Sequence, residues 1–347
     1  MQSDNQKKEN PETAVVKVSW WWLILLGIMT LGLGLTGGIV AQQAFQPDLP
    51  PLSLDGNNGV TTVVQEVTVS PNQATAKIVE SSARSIFLIT QDERPVAMAA
   101  TLTSDGLVVT ASGIKGSLAA YDEEGRKVTV EYVGEDAVLG LTFLRLPQTV
   151  VSPLDLRADD APVGQSLTAV SRDPATFTSR VRTTTINQYE LPRTPLAAGI
   201  QRQVQTSENL DQVLPGTPLI DEEGRIAALW LGKDTTIPVN LVRAGLDRLS
   251  ANLWEVKPFE AMGISVTFGF SRLPDDAPVS FVMHVTAVRP NSPASQAGLK
   301  AGDEIITLDG KPLIWKEPVI NRIPTGQLLV GYVREQASAS ATIQFTE

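Results

Sequence analysis

The sequence predicts a mainly β protein carried behind one N-terminal transmembrane helix. Three observations lead there. Val18 to Ala41 is an unbroken apolar run without a charge, and roughly 20 such residues cross a bilayer as a helix. Beyond Ser82 the chain becomes a series of short Val/Leu/Ile/Thr-rich runs divided by turn signals such as Ser104-Asp105-Gly106 and Gly134-Glu135-Asp136, the pattern of an all-β sandwich or barrel. The pentapeptide Asp-Glu-Glu-Gly-Arg occurs at 122–126 and again at 221–225. Each copy joins two apolar runs, so each reads as a hairpin turn with Gly in the left-handed region, and the pair hints at a duplicated barrel.

The N-terminal segment comes first in order. Trp20, Trp21 and Trp22 open the apolar run, where indoles favour the headgroup interface. Lys7, Lys8 and Lys17 precede it, and the next Lys or Arg is Lys77. This asymmetry predicts a single-pass plasma or inner membrane protein with a cytoplasmic N-terminus and its folded domains on the extracytoplasmic side. The expected layout is a cytoplasmic tail at 1–19, a transmembrane helix at 20–41 and a flexible stalk at 42–70 that carries Pro47, Pro50, Pro51 and Gly56. A cleaved signal peptide ending near Ala41 is the alternative, although signal cores usually run ~7–15 residues. Ser70-Pro71 then predicts a short helix to about Ser82, with Ala74, Ile78 and Val79 on one face.

Composition narrows the chemistry. The 347 residues carry 28 Lys and Arg against 38 Asp and Glu, a net charge of −10, so nucleic acid is not an expected partner. There is no Cys and one His, His284. Disulfides, thiol catalysis and thiolate or multi-histidine metal sites are thereby excluded. Neither acidic turn has the alternating oxygen ligands of a calcium loop, and no cofactor or metal is expected.

Three segments of the middle region, taken in order, resemble the serine-protease domain of the HtrA (Deg) family. Ala100 to Ile114 resembles the strand, hairpin and catalytic-His segment; Gly134 to Leu146 resembles the catalytic-Asp segment; Val204 to Ile220 resembles the nucleophile segment, normally GNSGGPLV. The resemblance implies a trypsin-like double β-barrel at 71–252. Matched residue by residue, Gly113 falls where the family has its His, Gly140 where it has its Asp, and Pro215 where it has its Ser. Acyl transfer by that route needs a hydroxyl, an imidazole to take its proton and a carboxylate to orient the imidazole. Pro215 also lacks the backbone N–H with which a nucleophile helps hold the oxyanion. Ser112-Gly113-Ile114-Lys115 matches S-x-x-K, but that motif works on a helix and this copy follows a β run. Thr217, beside Pro215, reads as a turn residue.

From about Pro258 the chain resembles a PDZ domain of the HtrA type, at 257–347, most clearly over Val285 to Pro312. Ser292-Pro293 starts a short helix, Gly298 stops it, and Asp309-Gly310 makes a turn. Such modules add an extended peptide to a sheet edge and hold its C-terminal carboxylate on backbone N–H groups. The resemblance places that loop and strand at Ala261, Met262, Gly263 and Ile264, with Val319, Ile320 and Ile323 facing them from a helix. The stretch from Leu313 to Pro324 is short for that helix and carries Pro318 and Pro324, so a shallower groove is expected. His284 lies in an apolar strand of this module and is expected to be structural.

The reading that follows is a membrane-anchored pseudoprotease that binds peptide or protein C-termini through its PDZ domain, as a scaffold or regulator in envelope protein quality control. The resemblance further implies a homotrimer, or a mixed oligomer with active homologues. The alternative is a serine-type endopeptidase with a displaced or non-standard active site.

Overall fold

A computed structural model describes residues 71–147, 152–192, 199–272, 278–323 and 326–345. The expected tail, transmembrane helix and stalk lie outside the described residues. Among those that are described, no helix is long and apolar enough to cross a membrane.

Helix α1, Pro71–Ser82, starts on its proline and buries Ile78 with Ala74 and Val79 half-buried beside it. Strands β1 (Ile86–Gln91), β2 (Arg94–Thr101), β3 (Leu107–Ala111), β4 (Leu118–Tyr121), β5 (Lys127–Val128), β6 (Glu131–Asp136) and β7 (Leu141–Arg145) follow, in the spatial order β5-β4-β1-β2-β3-β7-β6. A second sheet contains β8 (Ser166–Arg172), β9 (Ser179–Glu190), β10 (Gln203–Thr206), β11 (Thr217–Ile220), β12 (Ile226–Gly232) and β13 (Thr235–Pro238), in the order β10-β9-β8-β11-β12-β13. With β5 and β6 counted as one interrupted strand, the two sheets share one topology. In each, the first strand pairs with the second and the fourth, the second with the third, and the fourth with the fifth. β3 pairs with β7, and β10 lies beside β13 in the same way. Two barrels of one design result.

Strand alternation builds two cores from each barrel. In β1, Phe87 and Ile89 point into the first barrel with Val108 and Leu144, while Ile86 and Leu88 pack outward against Val170, Ile220 and Ile226 of the second. Arg172, 3% exposed, pins the same seam: its Nε donates to the Ile86 carbonyl at 2.8 Å and a second nitrogen reaches the Ala83 carbonyl.

The duplicated pentapeptides occupy equivalent places, both after the fourth strand of their barrel. Their bonding is the same. Asp122 Oδ1 accepts from the Glu124 and Arg126 amides, and Asp221 Oδ1 accepts from those of Glu223 and Arg225. In each turn the Arg Nε returns to the other carboxylate oxygen, at 2.7 and 3.0 Å. Gly125 and Gly224 hold φ of 74° and 83°, which explains a glycine at that place.

Helix α2, Val239–Ser250, closes the second barrel but is tied to the first. Asp136, fully buried, accepts from the Val138 and Leu139 amides at 3.0 and 3.2 Å and from Arg248 Nε of α2 at 2.6 Å. Burial pushes this carboxyl above its usual range, against the hydrogen bond and charge of Arg248 and the two amides.

The third sheet belongs to the C-terminal module. β14 (Ile264–Ser271), β15 (Ser280–Val288), β16 (Glu304–Leu308), β17 (Lys311–Pro312), β18 (Gln327–Arg334) and β19 (Ala337–Gln344) run in the order β14-β15-β16-β18-β19, with β17 on β16. Two short helices join it, α3 (Pro258–Met262) and α4 (Pro293–Gln296). Ser292 caps α4 by accepting from the Ser295 amide at 3.2 Å, and Gly298 ends that turn with φ of 86°. His284 sits on β15, opposite Thr267 and Glu304, with its Nδ1 3.2 Å from the Glu304 carboxylate.

The second acidic turn gives a pH-dependent prediction. Burial raises the Asp221 carboxyl, but the Arg225 amide, Arg225 and Arg157 outweigh it and hold the group below its usual range. A carboxyl lowered in the folded state adds stability above its unfolded value, near 3.9, that disappears as pH falls toward the folded value. Asp221→Asn is therefore expected to cost about 1–3 kcal/mol at neutral pH, with the gap to wild type narrowing below about pH 4. Urea denaturation of both proteins between pH 7 and 3 measures it; a gap independent of pH contradicts this role.

Candidate functional site

The three expected catalytic positions come together. Gly113, Gly140 and Pro215 line one cavity of about 470 Å³ between the two barrels, with Val96, Ile114, Ile200 and Leu231 forming its apolar walls. Gly113 follows β3 and donates its N–H to Glu135 Oε1 at 3.1 Å; a side chain there would meet nothing within 4 Å. Gly140 precedes β7 and its carbonyl accepts from the Ser112 amide at 2.9 Å. A Cβ on Gly140 would lie 3.3 Å from Leu231 Cδ1 and 3.9 Å from Ile200 Cδ1, so aliphatic groups crowd that position. Pro215 precedes β11, and its carbonyl accepts from the Met98 amide at 2.7 Å.

The backbone around Pro215 is equally spoken for. In the triad template the oxyanion is held by the nucleophile's own N–H and by that of the residue two before it. Pro215 has no N–H to give, and the Val213 N–H donates to the Leu210 carbonyl at 2.9 Å. Gly216, at φ 82°, donates to the Trp230 carbonyl at 2.6 Å. Its backbone lies so close to the Met98 carbonyl and to Thr110 Oγ1 that a Cβ would come within 2.5 Å of the latter. Only glycine fits there.

Lys233 is the one ionisable residue among those lining the cavity, and Ser112 and Thr235 supply its hydroxyls. Thr235 Oγ1 donates to the Lys233 carbonyl at 3.3 Å. Lys115, the distal member of the S-x-x-K match, pairs instead with Glu135 at 3.9 Å, in a segment that is not helical. Thr217 donates to the Leu214 carbonyl at 2.6 Å and serves the turn.

The residues expected to bind peptide fall differently. Gly263 caps α3 at φ 74°; its N–H donates to the Glu260 carbonyl at 3.0 Å, and its carbonyl accepts from Arg289 at 2.7 Å. Ala261 is exposed, whereas Met262, Ile264, Val319, Ile320 and Ile323 are all buried in one core with Phe259 and Met283. In place of a facing helix there is a single 3₁₀ turn, Val319–Arg322. What stays open is the outer edge of β14, which is the end strand of its sheet and pairs only with β15.

That 3₁₀ turn is held by the second barrel through residues that sequence reasoning missed. Gln201, 1% exposed, donates to the Trp315 and Glu317 carbonyls at 2.9 and 2.6 Å and accepts from the Val319 amide at 2.7 Å. Next to it, buried Arg202 pairs with Asp160 and lies between the rings of Tyr189, at 4.6 Å, and Trp315, at 5.5 Å. Burial lowers this guanidinium to about 10. Asn240 of α2 adds a bond to the Lys316 carbonyl. No periodicity or motif sets Gln201 apart from a surface residue at the start of a strand.

The comparisons with known proteins bear on this arrangement. A PDZ-domain family model matches residues 284–322, from β15 into the 3₁₀ turn. A serine endoprotease from Yersinia pestis superposes with a TM-score of 0.55 at 18% identity, over 81% of this chain and 99% of that one. The HtrA-type protease AlgW superposes with a TM-score of 0.57 in its form with a decapeptide, at 16% identity, over 80% of this chain and 98% of the other. The fold is that of the HtrA-type serine proteases: trypsin-like barrels followed by a PDZ domain. In its form with a tripeptide AlgW gives 0.58 at 16% identity, over 78% and 96%. A search of curated protein sequences gives no match.

Gln201→Ala tests the contact between barrel and PDZ domain. It leaves the part-buried Trp315 and Glu317 carbonyls and the buried Val319 amide without this partner and is expected to cost about 1–3 kcal/mol. Chemical denaturation reads this directly, and a loss below about 0.5 kcal/mol, the level of a surface change, contradicts the bonding described.

Proposed function

We propose that this chain is a membrane-anchored pseudoprotease: a protein with the HtrA-type fold that binds peptides or partner proteins and does not cut them. The observation that carries the reading is the shared cavity of Gly113, Gly140 and Pro215. The three positions where the family resemblance calls for imidazole, carboxylate and hydroxyl meet in space, and none carries that group. The sole imidazole of the chain, His284, is on β15 of the PDZ domain, engaged with Glu304. The flanking N–H groups are absent or already bonded, and loss of one oxyanion donor alone costs on the order of 10²–10³ in rate.

The binding half of the proposal rests on the PDZ domain and on the free edge of β14. An extended peptide adds there as a further strand through main-chain hydrogen bonds, its carboxylate end near Gly263; the Ala261 and Gly263 amides themselves donate to the Lys257 and Glu260 carbonyls. Because the apolar side chains behind that edge are buried, main-chain pairing outweighs pocket selection, and broad sequence tolerance follows. Structural relatives of this fold include a protease with a bound decapeptide and with a tripeptide. The Lys7, Lys8 and Lys17 cluster before the apolar run supports a single-pass anchor, N-terminus inside. A role in envelope quality control, as a homotrimer or in mixed oligomers with active homologues, extends the same family resemblance.

The full-length protein is expected to leave unfolded casein intact over hours while binding peptides with a free apolar C-terminus, measured by fluorescence anisotropy. Amidating that terminus is expected to weaken binding about tenfold, the equivalent of roughly 1.4 kcal/mol. Casein cleavage that a Ser112→Ala or Thr217→Val substitution abolishes would establish a displaced active site instead.

A further inference from the structure

A second cavity, of about 500 Å³, lies beside the first and shares Lys233 and Thr235 with it. It is bounded by the end of β9, by β10 and the loop after it, and by the β12–β13 hairpin. Its volume falls within the roughly 300–1,000 Å³ of small-molecule sites. Its chemistry is unlike that of its neighbour. Where the first cavity is walled by aliphatic side chains, this one is lined mainly by amides, hydroxyls and charges, with Trp230 the only aromatic residue among those lining it.

Two polar side chains in this wall make no hydrogen bond to the protein among the described residues. Thr236 is 1% exposed and Trp230 4%, and they stand opposite one another across the β12–β13 pair, so their side chains share a face. Among the described residues, neither the Thr236 hydroxyl nor the Trp230 indole N–H makes a hydrogen bond, and neither atom is fully closed off, so each keeps an opening to solvent. Solvent in the cavity reaches both, and a ligand that displaces that solvent must offer each of them a partner. Both belong to the wall of a cavity large enough to hold a ligand that satisfies them.

The charges decide which ligand. Glu190, Glu208 and Asp234 line the cavity together with Lys233; Glu190 accepts from the Gln188 and Gln203 side chains, and Glu208, Asp234 and Lys233 form no ion pair among the described residues. A cationic ligand meets the ammonium of Lys233; an anionic ligand meets three carboxylates. A neutral molecule whose groups both donate and accept suits the whole set, since a hydroxyl can accept from Lys233 or the indole and donate to Glu208, Asp234 or the Gln205 amide oxygen. We propose that this cavity binds a short neutral saccharide, its hydroxyls bridging Lys233, Glu208, Asp234 and Thr236 and a ring face resting on the wall that contains Trp230. This site is separate from the PDZ edge, and the proposal stands or falls independently of peptide binding there.

Calorimetric titration of the full-length protein tests it, with maltotriose and the N-acetylglucosamine trimer as neutral probes and free lysine and free glutamate as charged ones. Deuterium exchange on peptides spanning 203–210 and 230–236 locates the site. Saturable binding of at least one saccharide is expected, with protection confined to those two stretches. Thr236→Val, which keeps the shape and removes the hydroxyl, is expected to weaken it about tenfold, or roughly 1.4 kcal/mol. Should that variant fail to fold by circular dichroism, Gln205→Leu, at a half-buried position, carries the same expectation. No saturable binding of either saccharide, protection elsewhere, or equal or tighter binding of lysine or glutamate overturns the proposal.

Discussion

The buried carboxylate of Asp136 is the constraint on which this architecture turns. Its bonds to the Val138 and Leu139 amides fold the chain between β6 and β7, which sets Gly140 at the mouth of the cleft. Its bond to Arg248 carries the closing helix of the second barrel back onto the first. A buried pair of this kind adds little net stability over an apolar substitute, but removal of one partner leaves a charge without solvent and costs on the order of 3–5 kcal/mol. The local turn, the seam between barrels and the position of the cleft are thus one feature.

In the cleft, the three positions that the resemblance makes catalytic hold two glycines and a proline. A Cβ on Gly140 would press on Leu231 and touch Ile200, while one on Gly113 would meet nothing within 4 Å. Pro215 is fixed by β2 through the Met98 amide and faces Gly232 across the cavity. Lys233 is the one ionisable residue among those lining that space. Its shape is inherited from a hydrolytic fold and its chemistry is that of an apolar recess next to a polar one.

Much of this was legible in the sequence because it depends on local signals. The alternating runs, the twin Asp-Glu-Glu-Gly-Arg turns, the cap at Ser292-Pro293 and the left-handed Gly298 are each set by a few neighbouring residues, and the structure forms all of them. Gly113, Gly140 and Pro215 converge because the barrel topology that their segments implied is present. What sequence could not show was long-range and polar. Gln201 reaches residues more than a hundred positions away, and no local pattern marks a glutamine that will end in an interface. The same contact explains the peptide-site residues. Once the 313–323 segment is bound to the barrel, Val319, Ile320 and Ile323 turn into core, and spacing alone does not distinguish a groove wall from a core wall.

The central claim is that the protease cleft holds no activated nucleophile, and a fluorophosphonate probe addresses that without assuming any substrate. Such probes react with serine hydroxyls that a neighbouring base has activated and leave ordinary ones alone. Incubated with the full-length protein in its native state and analysed by intact mass, the probe is expected to add nothing beyond the level seen with heat-denatured protein. Stoichiometric labelling at Ser112, or at any other residue of the barrels, lost on denaturation, would contradict the account.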